Sequence, residues 1–300
     1  MNNYHQPVLR ETSVKALITA KDGVYVDATF GGGGHSNYIL QNISQKGKLI
    51  AFDQDPDCEK NIIKDDRFQF NPQNFKYLKK FLQYNKQYPV EGILADLGVS
   101  SHQFDTASRG FSYRFDGELD MRMNPLKGIS AFEVVNQYSE TKLTNIFYTY
   151  GELPNARRIA KTIVEARTEK QIITTTDLVK LLTPIFPDNK QNKIFAQLFQ
   201  ALRIEVNSEM EALKEFLLQT IEALKSGGRL VIISYHSLED RLVKNFMRSG
   251  NLNGNMEKDF YGNPLTPWRV LSSKVITPDE NEITSNPRAR SAKLRIAEKI

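Results

Sequence analysis

A doubly wound α/β fold carrying a helical insertion is what this sequence predicts, and three observations predict it. Short apolar runs at residues 24–30, 48–53, 68–70 and 92–97 alternate with helix-compatible segments. Those runs are continuously apolar instead of alternating, the pattern of strands covered on both faces of a parallel sheet. From about Asp105 helical patterns follow one another without strands, until residues 229–234 restore the strand signal.

The first strand, Val24-Tyr25-Val26, closes on Asp27-Ala28-Thr29-Phe30 and empties into Gly31-Gly32-Gly33-Gly34-His35. Glycine has no Cβ, so the backbone can take positive φ and set its N–H groups against a ligand. The second strand ends at Phe52-Asp53, where an acid accepts hydrogen bonds from a ribose diol. One glycine loop and one ribose acid describe a nucleoside-containing cofactor. A dinucleotide loop usually reads G-x-G-x-x-G and seats a pyrophosphate on the helix N-terminus. Here the loop follows Asp27, which would repel a pyrophosphate and suits the ammonium of an amino-acid moiety. The residues favour S-adenosylmethionine over NAD.

Asp96-Leu97-Gly98-Val99-Ser100-Ser101 ends the fourth strand. Ligand crevices of open α/β sheets lie at the carboxyl ends of strands, so Asp96 can take hydrogen bonds from the cofactor or a substrate amine. A strand end followed by a helix cap is the plain alternative. Beyond it, Ala156, Ile159, Ala160, Ile163 and Val164 form one apolar stripe, and Ile194, Phe195, Leu198, Phe199 and Leu202 another, both at helical spacing. Pro184 and Pro187 separate helices. The expected organisation is a sheet domain from 1–104 and 207–300, interrupted by a helical insertion at 105–206. Ser208 with Glu211 reads as a capping box, Gly227-Gly228 as the stop of that helix, and Ser237 with Asp240 as the cap of the next. Residues 250–267, rich in Asn, Gly and Pro, read as a loop. Residues 292–297 alternate as an edge strand does.

His236 stands after the fifth strand, at the crevice rim or beside a structural cap. His35, His102 and His236 follow separate strand ends without a short spaced pair, so no metal site is expected. Arg109-Gly110-Phe111-Ser112-Tyr113-Arg114-Phe115 interleaves aromatics with cations, which suits base stacking or equally a core strand. Arg157-Arg158 and Arg288-Ala289-Arg290 with Lys293 and Arg295 add basic surface. The net charge of +5 mildly favours a polyanionic partner. Cys58 is the single cysteine, which rules out an internal disulfide and a zinc–cysteine cluster. The N-terminal residues show no hydrophobic signal core and no apolar run approaches membrane length. A cytoplasmic protein without membrane contact is expected.

With these segments in view, the chain resembles the MraW family of bacterial 16S rRNA cytosine-N(4) methyltransferases. The resemblance rests on Tyr4-His5-Gln6-Pro7-Val8-Leu9, the glycine loop through His35, and Asp96 through Ser101. It also rests on Arg109-Gly110-Phe111-Ser112 with Leu119-Asp120-Met121-Arg122-Met123, the segment 199–207, Tyr235 through Arg241, and the segment 286–295. These span nearly the whole chain in order. The resemblance implies a class I methyltransferase sheet, S-adenosylmethionine as cofactor, and a cytidine in the decoding region of 16S rRNA as target, within the assembled small subunit. It places the cofactor on Gly33, Gly34 and His35, with Asp53 at the ribose, Phe75 by the adenine, and Asp96 and Gln103 completing the set. Relatives often carry proline near His102, which makes that residue a poor catalytic candidate.

Many amino-methylating enzymes carry an Asn/Asp/Ser-Pro-Pro-aromatic motif after the fourth strand, whereas this chain has Asp96-Leu97-Gly98-Val99. The residues that orient the target amine therefore do not transfer from those enzymes. The expectation is that Asp96, or carbonyls in 96–101, stabilises charge on the amine while His236 orients the base. Phe111, Tyr113 or Trp268 would receive an unstacked cytosine. A non-catalytic RNA-binding assembly factor and an NAD-dependent oxidoreductase are the other classes considered. Both monomer and homodimer are compatible with the sequence.

Overall fold

The computed structural model describes residues 7–272 and 274–300; Tyr4, His5 and Gln6 of the N-terminal motif lie outside the described residues. The chain divides into two compact units. One runs through Gly98 and resumes from Glu211 to Ile300; the other is Val99–Met210. The cuts fall a few residues outside those expected. The Ser100–Gln103 capping box and the paired hydrogen bonds from Arg203 to Glu209 both belong to the helical unit.

The first unit is built on seven strands: β1 (Val24–Asp27), β2 (Lys48–Phe52), β3 (Phe68–Asn71), β4 (Val90–Asp96), β5 (Leu224–Ser234), β6 (Trp268–Val270) and β7 (Lys293–Lys299). They order as β3-β2-β1-β4-β5-β7-β6, with β1 to β5 parallel and β7 antiparallel to both β5 and β6. Continuous apolar strands arise because both faces are covered. Val26, Ile93, Ala95, Leu230 and Ile232 enter one core with Leu213, Phe216 and Phe246. Tyr25, Leu94, Val231 and Ile233 enter the other with Leu17, Ile39 and Leu294. Successive side chains of a strand point to opposite faces, so an apolar residue is needed at every position.

Several local expectations are corrected. β1 ends at Asp27, so 28–30 already belong to the loop. β5 begins at Leu224, and Gly227-Gly228 lies inside it: pairing steps from Val90↔Leu224 to Gly92↔Arg229, and the bulge turns at Gly227 with φ 77°. Ser208 is the left-handed C-cap (φ 49°) of the helix Asp188–Asn207. The helix Ser237–Ser249 is capped by His236, one residue before the expected serine. Asp240 instead holds Lys293 (3.2 Å) and Arg295 (2.6 Å), so those two cations tie β7 to that helix. Arg288 and Arg290 remain exposed. Trp268 starts the short strand β6, which the sequence reading missed, and is 2% exposed against Phe246. It is core, unavailable to receive a base.

The helical unit has its own core, in which Phe111, Leu119 and Met121 pack with Leu143, Ile159, Leu198 and Leu202. Phe111 is buried and offers no ring to RNA, while the half-buried Tyr113 packs against Phe195 and Phe199. The segment is a turn and not a strand. Arg109 donates to the carbonyls of Arg122 and Met123. Asn207 donates to the Met121 carbonyl and accepts from the Met123 N–H. Three of the motifs singled out in the sequence thus meet as one scaffold. Arg157 and Arg158 stand exposed in the first turn of the helix Ala156–Glu169.

Replacing Trp268 by alanine empties a buried aromatic site, which costs about 3–5 kcal/mol. Urea unfolding is expected to show that loss in Trp268→Ala and a smaller one in Trp268→Phe.

Candidate active site

Three acids stand at neighbouring strand ends of the first unit: Asp27 ends β1, Asp53 follows β2, and Asp96 ends β4. Asp27 is 0% exposed. It accepts from the Ser36 hydroxyl (2.7 Å) and the Thr29 N–H (3.2 Å), and the Ser36 N–H also points to it. It therefore caps the helix Gly34–Asn42, where an anion is favoured by the free N–H groups. Burial pushes its pKa up to about 6 against those hydrogen bonds, and the charge of Asp53 adds to the rise. Asp27, read from sequence as an ammonium partner, is spent on its own loop.

The glycine loop is pinned to the second strand. Gly31 (φ 51°) donates its N–H to Asp53 Oδ2 at 2.7 Å, and the Asp55 N–H takes Oδ1 at 2.9 Å. Burial raises the Asp53 carboxyl and pushes the adjoining Cys58 thiol up, so Cys58 is a packed thiol and not a nucleophile. Gly33 takes φ 76° at the N-cap position. A Cβ on Gly34 would sit 2.1 Å from Pro7 Cγ. Phe75 opens the turn after β3, edge-on to Phe216 at 5.1 Å.

His35 is buried with Nε2 3.2 Å from the Val8 carbonyl. Burial lowers its pKa to about 4, the carbonyl of Val8 opposing and the charge of Arg10 assisting. The neutral ring must carry its proton on Nε2 to meet a carbonyl, which turns bare Nδ1 toward Asp96 Oδ2 at 3.8 Å.

Asp96 is the acid that keeps some access, with its side chain 22% exposed. Its N–H donates to Thr29 Oγ1 (2.7 Å), and its Oδ1 accepts from the Tyr235 hydroxyl (2.8 Å). Burial pushes its pKa up to about 7, with Asp27 and Glu239 adding to the rise and Tyr235 pulling it down. Thr29, Ser36, Tyr235 and Glu239 are the functional neighbours that residue reading missed. Only Tyr235 carried a signal, since it follows β5 directly beside the chosen His236.

His236 caps the helix Ser237–Ser249 and faces Glu239. Its Nδ1 accepts from the Glu239 N–H (3.4 Å) and its Nε2 lies 3.1 Å from Glu239 Oε1. Gln103 belongs to the helical unit, where its N–H donates to the Ser100 hydroxyl and its side-chain oxygen accepts from the Ser100 N–H. The structure therefore brings Gly33, Gly34, His35, Asp53 and Asp96 to one sheet edge and gives His236 and Gln103 capping roles.

This strand order with an antiparallel β7, a glycine loop after β1 and an acid after β2 defines a class I methyltransferase, whose methyl donor is S-adenosylmethionine. The donor set fits that cofactor: acids at three neighbouring strand ends favour a cationic ligand without phosphates. The MraW methylase family model matches residues 2–300, and the chain belongs to that family. It is 57% identical over 296 residues to ribosomal RNA small subunit methyltransferase H of Bacteroides fragilis, covering 99% of this chain and 97% of that one. It is 54% identical over 297 residues to the protein of that name from Flavobacterium johnsoniae, covering 99% and 98%.

A cationic ligand competes with protons at Asp96 directly and, through its charge, at the enclosed Asp27, their carboxyls being pushed up by burial to about 7 and about 6. Calorimetry between pH 5 and 8 should show S-adenosylmethionine binding tighten as pH rises, by about tenfold, the equivalent of one pKa unit. Neutral S-adenosylhomocysteine should show little change. The same raised values make the folded state bind more protons than the unfolded one between the ordinary carboxyl pKa and about 7. The stability they contribute is complete below about 4 and is lost as pH rises through 7.

Proposed function

We propose that this enzyme methylates N4 of a cytidine in the decoding region of 16S rRNA, acting on the assembled small subunit in the cytoplasm. The relatives' name, ribosomal RNA small subunit methyltransferase H, supports the substrate class. The observation that carries the chemistry is Asp96, a partly accessible carboxyl at the end of β4 with one oxygen already held. In this reading Gly33, Gly34, His35, Asp53 and Phe75 hold the cofactor, and the helical unit with exposed Arg157 and Arg158 recognises RNA. Among the described residues no helix is long and apolar enough to cross a membrane.

Bound S-adenosylmethionine supplies a methyl group on a positively charged sulfur, already a strong electrophile. The cytosine amine is a poor nucleophile because its lone pair is delocalised into the ring. The protein's work is to hold the amine in line, to exclude water and to meet the charge that grows on nitrogen. Asp96 Oδ1 is fixed by Tyr235, which leaves Oδ2 to accept the amine hydrogen bond. Oδ2 would meet the positive charge that grows on N4 and would take its proton. A carboxyl with a pKa near 7 is suited to accept it and return it to water near neutral pH.

Labelled methyl transfer to small subunits lacking the modification, followed by nucleoside mass analysis, tests the reading. Label in N4-methylcytidine is expected from the wild type. Asp96→Asn should lower kcat at saturating cofactor about a hundredfold or more. Label on another nucleoside overturns the target, and full activity of Asp96→Asn removes Asp96 from the chemistry.

A further inference from the structure

We propose that Tyr235 is a positioning residue, whose phenol fixes the Asp96 carboxylate so that Oδ2 faces the target amine, with Glu239 holding Tyr235 in its turn. The proposal rests on the reading of Asp96 given above. β4 and β5 are paired neighbours with Asp96 opposite Ile233, so Tyr235, the residue after β5, reaches the same strand-end level. Its hydroxyl donates to Asp96 Oδ1 at 2.8 Å. The ring passes Gly98 (φ 99°), where a Cβ would lie 3.6 Å from Tyr235 Cδ2. The Tyr235 N–H donates to Glu239 Oε2 at 3.1 Å. Glu239 is itself buried and engaged by His236 through Oε1. The cap of the helix Ser237–Ser249 and the reactive carboxyl are thus joined through one side chain.

Burial and the charge of Asp96 hold the phenol far above its ordinary pKa, so it stays protonated and serves only as donor. Asp96 is faced by Asp27 from β1, by His35 from the helix Gly34–Asn42, by Tyr235 and by Glu239. Among these, the Tyr235 hydroxyl is the group that stabilises the ionised form. Removing it leaves the carboxylate free to rotate and harder to ionise.

Tyr235→Phe and Asp96→Asn are compared with the wild type in methyl transfer to small subunits. Tyr235→Phe should lose about tenfold in kcat, the order of a hydrogen bond to a charged group. KM for the subunit and cofactor affinity should not change. The acidic limb of its kcat–pH profile should move to higher pH, an effect that a purely structural role would not produce. Wild-type kcat and pH profile in Tyr235→Phe, with Asp96→Asn inactive, overturn the positioning role alone. Full activity of Asp96→Asn defeats the reading of Asp96, and the role of Tyr235 falls with it.

Discussion

The enclosed carboxylate of Asp27 is the constraint on which the site depends. It joins the end of β1 to the first turn of the following helix through Thr29 and Ser36, and so sets the path of the glycine loop between them. A carboxylate without exposure is costly unless hydrogen-bonded, and here it answers N–H groups that the helix itself cannot satisfy. The loop is then locked from its other side, because Gly31 donates to Asp53. Two acids thus hold a loop that a phosphate-binding fold would leave open to its ligand.

The same acids set the electrostatic character of the edge. Each lies in a medium that disfavours its charge; Asp53 raises Asp27, and Asp27 raises Asp96. A neutral His35 cannot offset them. Such an edge receives a cation well and a pyrophosphate poorly, which is the physical separation between a sulfonium cofactor and a dinucleotide. It also leaves Asp96 near neutrality, where a carboxyl both accepts and releases a proton.

The helical unit shows a different use of motif residues. Arg109, Asn207 and Arg122 spend their polar groups on loop carbonyls and on Asp120. Buried polar groups must find partners, and a long loop has no ladder to supply them. These residues answer that need inside the unit, which is why interleaved cations and aromatics proved to be scaffold.

The α/β class was legible because strands covered on both faces need an apolar residue at every position, and residues 24–26, 49–52 and 93–95 meet that demand. The glycine loop was legible because positive φ and close approach restrict residue type, and the acid after β2 because it closes an apolar strand at the crevice. The resemblance to the MraW family was legible because its segments lie in order along the chain. What the sequence could not decide was partner choice. Whether Asp27 meets a ligand or Ser36, whether His236 meets a base or Glu239, and whether Trp268 meets RNA or Phe246 depends on which surfaces are brought within hydrogen-bond or packing distance. Those distances are set between residues far apart in the chain, such as Asp96 and Tyr235. A side chain's chemistry is local, but its partner is chosen by the packing of the whole sheet.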